Sequence, residues 1–202
     1  MKTGLTQPQR KARTRRTLVA TARRVFLERG FHGASLDDIA DAAGYSKGAV
    51  YSNFTSKADL FLAVLDAHFE ERARAYADVA LDGGSLEDSY RAVARFRFAA
   101  EEREPEWEPL LLEFWTYAAR REDLRAAVTD RRERFLDVIA GLIEELASRH
   151  GVAYAIPTRE VARGSAALLR GMAIERMLDP SAASLDALEQ VHAAYMTGLT
   201  KR

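Results

Sequence analysis

The residues in this chain with the clearest chemical potential lie in one short stretch, KGAVYSNF. Lys47, Gly48, Tyr51, Ser52 and Asn53 offer an ammonium, a bare backbone, a phenol, a hydroxyl and an amide. Groups of these kinds hydrogen-bond to base edges and phosphate oxygens. Catalytic chemistry finds little support by comparison. Cysteine is absent, and the four histidines (His32, His68, His150 and His192) are scattered along the chain. Glu189 and His192 form a lone E-x-x-H, whereas a di-iron bundle needs two such motifs and further glutamates. Neither a G-x-S-x-G turn nor a glycine-rich phosphate loop is present. No catalytic residue, metal ligand or cofactor is expected.

The elements around the polar stretch are legible from periodicity and caps. Leu36, Ile39, Ala40 and Ala43 share one apolar face, and Asp37, Asp38 and Asp41 point outward, which predicts a helix over 36–43. Ser35 opens it. Gly44 follows where a helix wants a left-handed terminator. Ser46 then caps a second helix, predicted over 47–54, with Val50 and Phe54 on its buried face. Ser56 and Asp59 make a capping pair that starts another helix at Lys57, whose position at a helix N-terminus suits a phosphate. Two short helices about a glycine turn outline a helix-turn-helix, whose second helix enters the DNA major groove.

The run SLDDIADAAGYSKGAVYSNFTSKADL resembles the DNA-binding signature of the TetR/AcrR family of bacterial one-component regulators. The carriers are Ser35, Ile39 to Ser46, Lys47 to Phe54, and Ser56 to Leu60. Tyr45 departs from the pattern, standing where a smaller aliphatic is usual. Ser52 and Asn53 stand where many relatives carry larger aromatic or basic groups. The resemblance implies an all-α protein with an N-terminal three-helix DNA-binding domain (1–57, sharing the next helix) and a larger helical domain (58–202) for effector binding and dimerisation. DNA contacts are expected from Ser35, Ser46, Lys47, Gly48, Tyr51, Ser52, Asn53 and Lys57.

Charge supports that division. The chain is neutral overall, but residues 1–57 hold 11 Lys+Arg against 4 Asp+Glu, and the remainder carries the compensating excess of acid. A basic head on an acidic body points to DNA at one end only. Residues 1–9 read as a solvated tail, with a basic arm as the alternative. A helix is expected from about Arg10 to Arg29, ended by Gly30. Neither a secretory leader nor a membrane span is expected, so the protein is expected in the cytoplasm.

Beyond 58 no alternating strand pattern is sustained, so the fold class is all-α. The segment from Val161 to Met177 is apolar nearly all round, so both of its sides should be covered. With the last helix it resembles the two-helix dimer face of the family, here Ala167, Leu168, Gly171, Ile174, Leu188, Val191 and Tyr195. Family resemblance likewise suggests an effector pocket lined by His68, Phe96, Trp107, Phe114, Trp115, Tyr117, Met172 and Glu175, for a small, mostly apolar or aromatic molecule. The expected protein is a homodimeric, effector-released repressor on a near-palindromic duplex operator. An all-α enzyme and an effector-independent DNA-binding protein are the alternatives.

Overall fold

The computed structural model describes residues 6–181 and 184–201, and every regular element in them is an α-helix. The helices are α1 (Gln7–Gly33), α2 (Leu36–Ala43), α3 (Lys47–Tyr51), α4 (Lys57–Leu81), α5 (Leu86–Arg103), α6 (Trp107–Ala119), α7 (Glu122–Arg149), α8 (Thr158–Leu178) and α9 (Leu185–Gly198). Residues 1–5, which include most of the expected basic arm, lie outside the described residues. The chain divides into two compact units. The first holds the chain up to His68 together with Pro109–Val128, and the second holds Phe69–Glu108 and the chain from Thr129 onward. The first unit thus takes in the first half of α4 and residues 109–128.

In the first unit α1 starts earlier than its basic run suggests. Thr6 and Gln9 form a reciprocal capping box, with Pro8 in the first turn. Gly30 breaks the helix at φ 72°, ψ 170°. A Cβ there would lie 2.9 Å from the Glu113 carboxylate, so glycine answers both a backbone and a space requirement. Leu18, Ala22, Val25 and Phe26 of α1 are buried with Ile39, Ala40, Val50, Phe54, Leu60 and Phe61. Phe31, just past the break, stacks edge-on against Phe61 and Phe114 at 5.4 and 5.0 Å.

In the second unit α5 and α8 both pack on α9. One apolar cluster joins Tyr90, Leu136, Ile143, Leu146, Val161, Ala193 and Met196. A second joins Ala94, Phe98, Leu169 and Leu188. Between α5, α8 and α9 runs a buried polar chain. His192, 1% exposed, donates from Nδ1 to the Tyr90 carbonyl at 3.0 Å and accepts at Nε2 from the Ser165 hydroxyl at 2.9 Å. This arrangement fixes one neutral tautomer. The Tyr90 and Tyr154 hydroxyls bond to each other.

Candidate nucleic-acid interface

Each turn of the helix-turn-helix is closed by a local cap. The Ser35 hydroxyl accepts from the Asp38 N–H, and the Asp38 carboxylate reaches back to the Ser35 N–H. The Ser35 hydroxyl, which also donates to the Asp38 carboxylate, and then the Ser35 N–H hold the Asp38 pKa below the usual carboxylate value, with Arg29 at 2.9 Å adding to them. Gly44 takes the left-handed conformation, φ 68° and ψ 28°, and its N–H returns to the end of α2. Ser46 caps α3 by accepting from the Ala49 N–H.

The recognition helix is shorter than the predicted 47–54, ending at Tyr51. Beyond it the Ser52 hydroxyl and the Asn53 amide both donate to the Ala49 carbonyl, at 2.9 and 2.7 Å. Side chains that take a helix carbonyl compete with its backbone ladder, and here they close the last turn. Arg15 of α1 holds this end in place. Its guanidinium donates to the Asn53 carbonyl at 2.9 Å and lies 4.3 Å from the Phe54 ring centre.

The outer face of α3 therefore presents Lys47, Gly48, Tyr51 and Ser52. Tyr51 is 55% exposed, an unusual position for a large aromatic ring. Lys47 is paired with Asp37 at 2.5 Å, which raises its pKa. Water reaches both side chains and screens the pair, so a phosphate can replace the carboxylate. Asn53 stands less free than expected, half-buried and folded back on α3. Arg13, Arg16 and Arg24 extend the exposed positive surface along α1.

Lys57, expected to contact a phosphate, has its ammonium engaged within the protein. Its ammonium donates to the carbonyls of Ala34 and His32, at 2.7 and 3.2 Å, and lies 4.7 Å from the Phe31 ring centre. Burial holds its pKa below the ordinary lysine value. From the opposite side the Glu113 carboxylate of α6 accepts from the N–H groups of Phe31 and His32, both at 2.8 Å. A lysine on the carbonyls and a glutamate on the amides therefore grip the loop that follows Gly30. Sequence reading missed Glu113, which lies 81 residues from His32 and has no local signature.

The residues expected around an effector fall in different units. Phe114 is fully buried and stacks 4.1 Å from Phe61, and Tyr117 lies 4.9 Å from Phe31, so both serve the core of the DNA-binding unit. His68 and Trp115 also belong to the first unit. Phe96, Trp107, Met172 and Glu175 belong to the second, where Trp107 is buried, Phe96 and Met172 half-buried, and Glu175 exposed.

The expected dimer residues also separate. Ala167, Gly171 and Val191 are exposed, and Leu168, Ile174 and Tyr195 are partly so. Leu188 faces inward instead, 5% exposed against Ala94, Phe98 and Leu169. Val191, about 60° round the helix from Leu188, is exposed. Tyr195 sits so close to α8 that a Cβ on Gly164 would collide with its hydroxyl.

Comparison with known proteins agrees with this geometry. Residues 18–64 match the family described as bacterial regulatory proteins, tetR family, and residues 86–201 match the C-terminal region of BetI-type transcriptional repressors. The transcriptional activator FasR of Mycolicibacterium smegmatis is 49% identical over 53 residues, 26% of this chain and 24% of FasR. The repressor NicS of Pseudomonas putida is 30% identical over 129 residues, 62% of this chain and 60% of NicS. The chain thus spans only part of the length of these curated relatives. Among solved structures, a regulator from Saccharomonospora viridis in complex with choline shares the fold, with a TM-score of 0.71, 21% identity and coverage of 95% and 100%. FadR of Bacillus subtilis in complex with stearoyl-CoA does so too, with a TM-score of 0.70, 15% identity and coverage of 91% and 98%. With a helix-turn-helix at one end and a matching regulator domain over most of the rest, the chain belongs to the TetR family of bacterial DNA-binding transcriptional regulators.

Proposed function

We propose that this regulator acts in the cytoplasm as a homodimeric repressor that leaves a near-palindromic operator when a small molecule binds its C-terminal domain. The exposed polar face of α3 and its C-cap carries the reading, because Lys47, Gly48, Tyr51 and Ser52 are all exposed there while Val50 alone is buried. Two such helices, set roughly 34 to 36 Å apart by a dimer, meet successive major grooves on one side of the duplex. In this scheme Lys47 and Tyr51 hold phosphates and Gly48 and Ser52 approach bases. Ser35 and Ser46 fix the helix ends, and Lys57 fixes the loop behind them. The match to a repressor-type C-terminal model favours repression over activation.

The partner is a second copy of the chain. Ala167 and Gly171 on α8 and Val191 on α9, which is 47% exposed, leave apolar surface open on neighbouring helices. An effector releases DNA only if it prefers the state in which the heads no longer match the operator, since equal affinity for both shifts nothing. No described helix is long and apolar enough to cross a membrane.

Replacing Tyr51 by Ala tests the α3 face. Binding to a duplex selected from a random pool by the protein itself, followed by fluorescence anisotropy, should weaken about tenfold or more, the equivalent of roughly 1.4 kcal/mol. The thermal midpoint should stay within a degree or two, because the ring covers no core. Undiminished DNA affinity would place the contact surface elsewhere.

A further inference from the structure

The first part of α1 stands apart from the rest of the head. Residues 7–17 are helical, yet none of them is buried, and the core begins only at Leu18. They also precede the stretch that matches the family, which opens at Leu18. A helix held by packing needs an apolar stripe, and here Pro8 and Ala12 are the only apolar residues. The segment carries Arg10, Lys11, Arg13, Arg15 and Arg16 and no acid, since Glu28 is the first acidic residue of the chain.

That charge pattern works against the helix. Lys11 and Arg15 stand four residues apart, and Arg10, Arg13 and Arg16 follow at intervals of three, so like charges are neighbours on its surface. Arg10 and Lys11 also lie near the N-terminus, where the aligned peptide dipoles disfavour cations. A solvated helix face ordinarily alternates signs. α4 pairs Arg74 with Glu70, α7 pairs Arg134 with Asp130, and α1 itself pairs Arg24 with Glu28 once past Leu18. Among the described residues no acid pairs with Lys11, Arg13 or Arg16. Even so, the start of the segment is fixed by the reciprocal capping box of Thr6 and Gln9. The chain thus begins a helix about three turns before it has anything to bury, and gives those turns one sign of charge.

Its position supplies the partner. Arg15 donates to the Asn53 carbonyl at 2.9 Å, next to the exposed Tyr51 and Ser52, so the segment leaves the core beside the outward-facing end of α3. From Arg15 back to Gln7 the helix runs about 12 Å, roughly the width of a major groove. We propose that the first three turns of α1 are a second DNA-contact element, a helical brace lying on the phosphates that border the groove holding α3. Cations ring the segment, so their long side chains reach the phosphate ridge on whichever side it passes. The polyanion also removes the repulsion that the helix bears without it. Such a contact reads no bases. It enlarges the footprint of each head and steepens the dependence of affinity on salt. This inference rests on the DNA-binding reading of α3 and adds an element outside the helix-turn-helix.

The test compares the full chain with a variant carrying Lys11→Gln, Arg13→Gln and Arg16→Gln, on a duplex selected by the unaltered chain from a random pool. Tm should stay within a degree or two, since none of the three side chains is buried. Affinity at low salt should fall about tenfold or more. The slope of log affinity against log salt should shrink by about 2, one phosphate contact for each of two heads. Hydroxyl-radical footprinting should show backbone positions protected by the unaltered chain and open with the variant, while the guanines protected from methylation in the major groove stay the same. Exchanging the charges instead, by Lys11→Arg, Arg13→Lys and Arg16→Lys, should keep both slope and footprint. If the unaltered chain binds duplex DNA and the Gln variant matches it in slope or in footprint, the brace alone is overturned. If the unaltered chain binds no duplex at low ionic strength, the regulator reading falls and the brace with it.

Discussion

Phe114→Ala is expected to destabilise the DNA-binding unit by about 3 to 5 kcal/mol and to lower Tm by on the order of 10 °C. The side chain is fully buried, 4.1 Å from the Phe61 ring centre and 5.0 Å from that of Phe31. Phe31 is the residue whose N–H the Glu113 carboxylate holds, one position before Phe114 on α6. Truncation removes the ring from the floor of the loop after Gly30 and leaves a cavity between α1, α4 and α6. DNA affinity should fall with stability, because the helix-turn-helix hangs from the same core. An effector wall would behave differently, since a ring lining a ligand cavity can be cut back at a cost below about 1 kcal/mol. Urea denaturation of the variant separates the two. A stability close to that of the unaltered chain would return Phe114 to the effector site.

The second large effect concerns acid. His192 is enclosed by α5, α8 and α9, and burial lowers its pKa from 6.5 to about 4, the bond to the Tyr90 carbonyl opposing this only in part. The unfolded chain therefore takes up the proton near pH 6.5, and the folded chain only near pH 4. Between those values the unfolded state binds more protons, so stability falls as the pH falls. The contribution is complete above pH 6.5, declines through the window and is fully lost below about pH 4, at about 3 kcal/mol in all. Roughly 2 kcal/mol should be lost between about pH 7 and about pH 5. His192→Gln should flatten that part of the profile in urea denaturation. A variant as acid-sensitive as the unaltered chain would assign the loss to other groups.

What the sequence made legible was local. Ser35, Gly44, Ser46 and Ser56 each act within a few residues, so α2, the turn and the start of α4 were predictable from spacing. The same physics was available at Thr6, where a T-x-x-Q box with Pro8 marks the start of α1 more sharply than the basic run that follows. Long-range pairing was not legible. Lys57 looks like a phosphate ligand because it opens a helix, and only the folded chain brings the carbonyls of His32 and Ala34 to it. Leu188 and Val191 satisfy an apolar periodicity equally well, and which of them turns inward depends on Ala94 and Phe98, about ninety residues away. The pairing on Glu108 was invisible for a similar reason, since Arg97 and Arg170 sit singly on α5 and α8 and each reads as an ordinary surface charge until the fold brings both to that carboxylate.

The proposed homodimeric repressor requires paired heads on one duplex. Sedimentation velocity of the purified chain, alone and with a duplex it has selected from a random pool, measures this most directly. The expected result is a dimer in the absence of DNA and two chains on each duplex at low ionic strength, with protected major grooves about one helical turn apart. A monomer that binds one chain per duplex, or a dimer that leaves the duplex sedimenting alone, would contradict it.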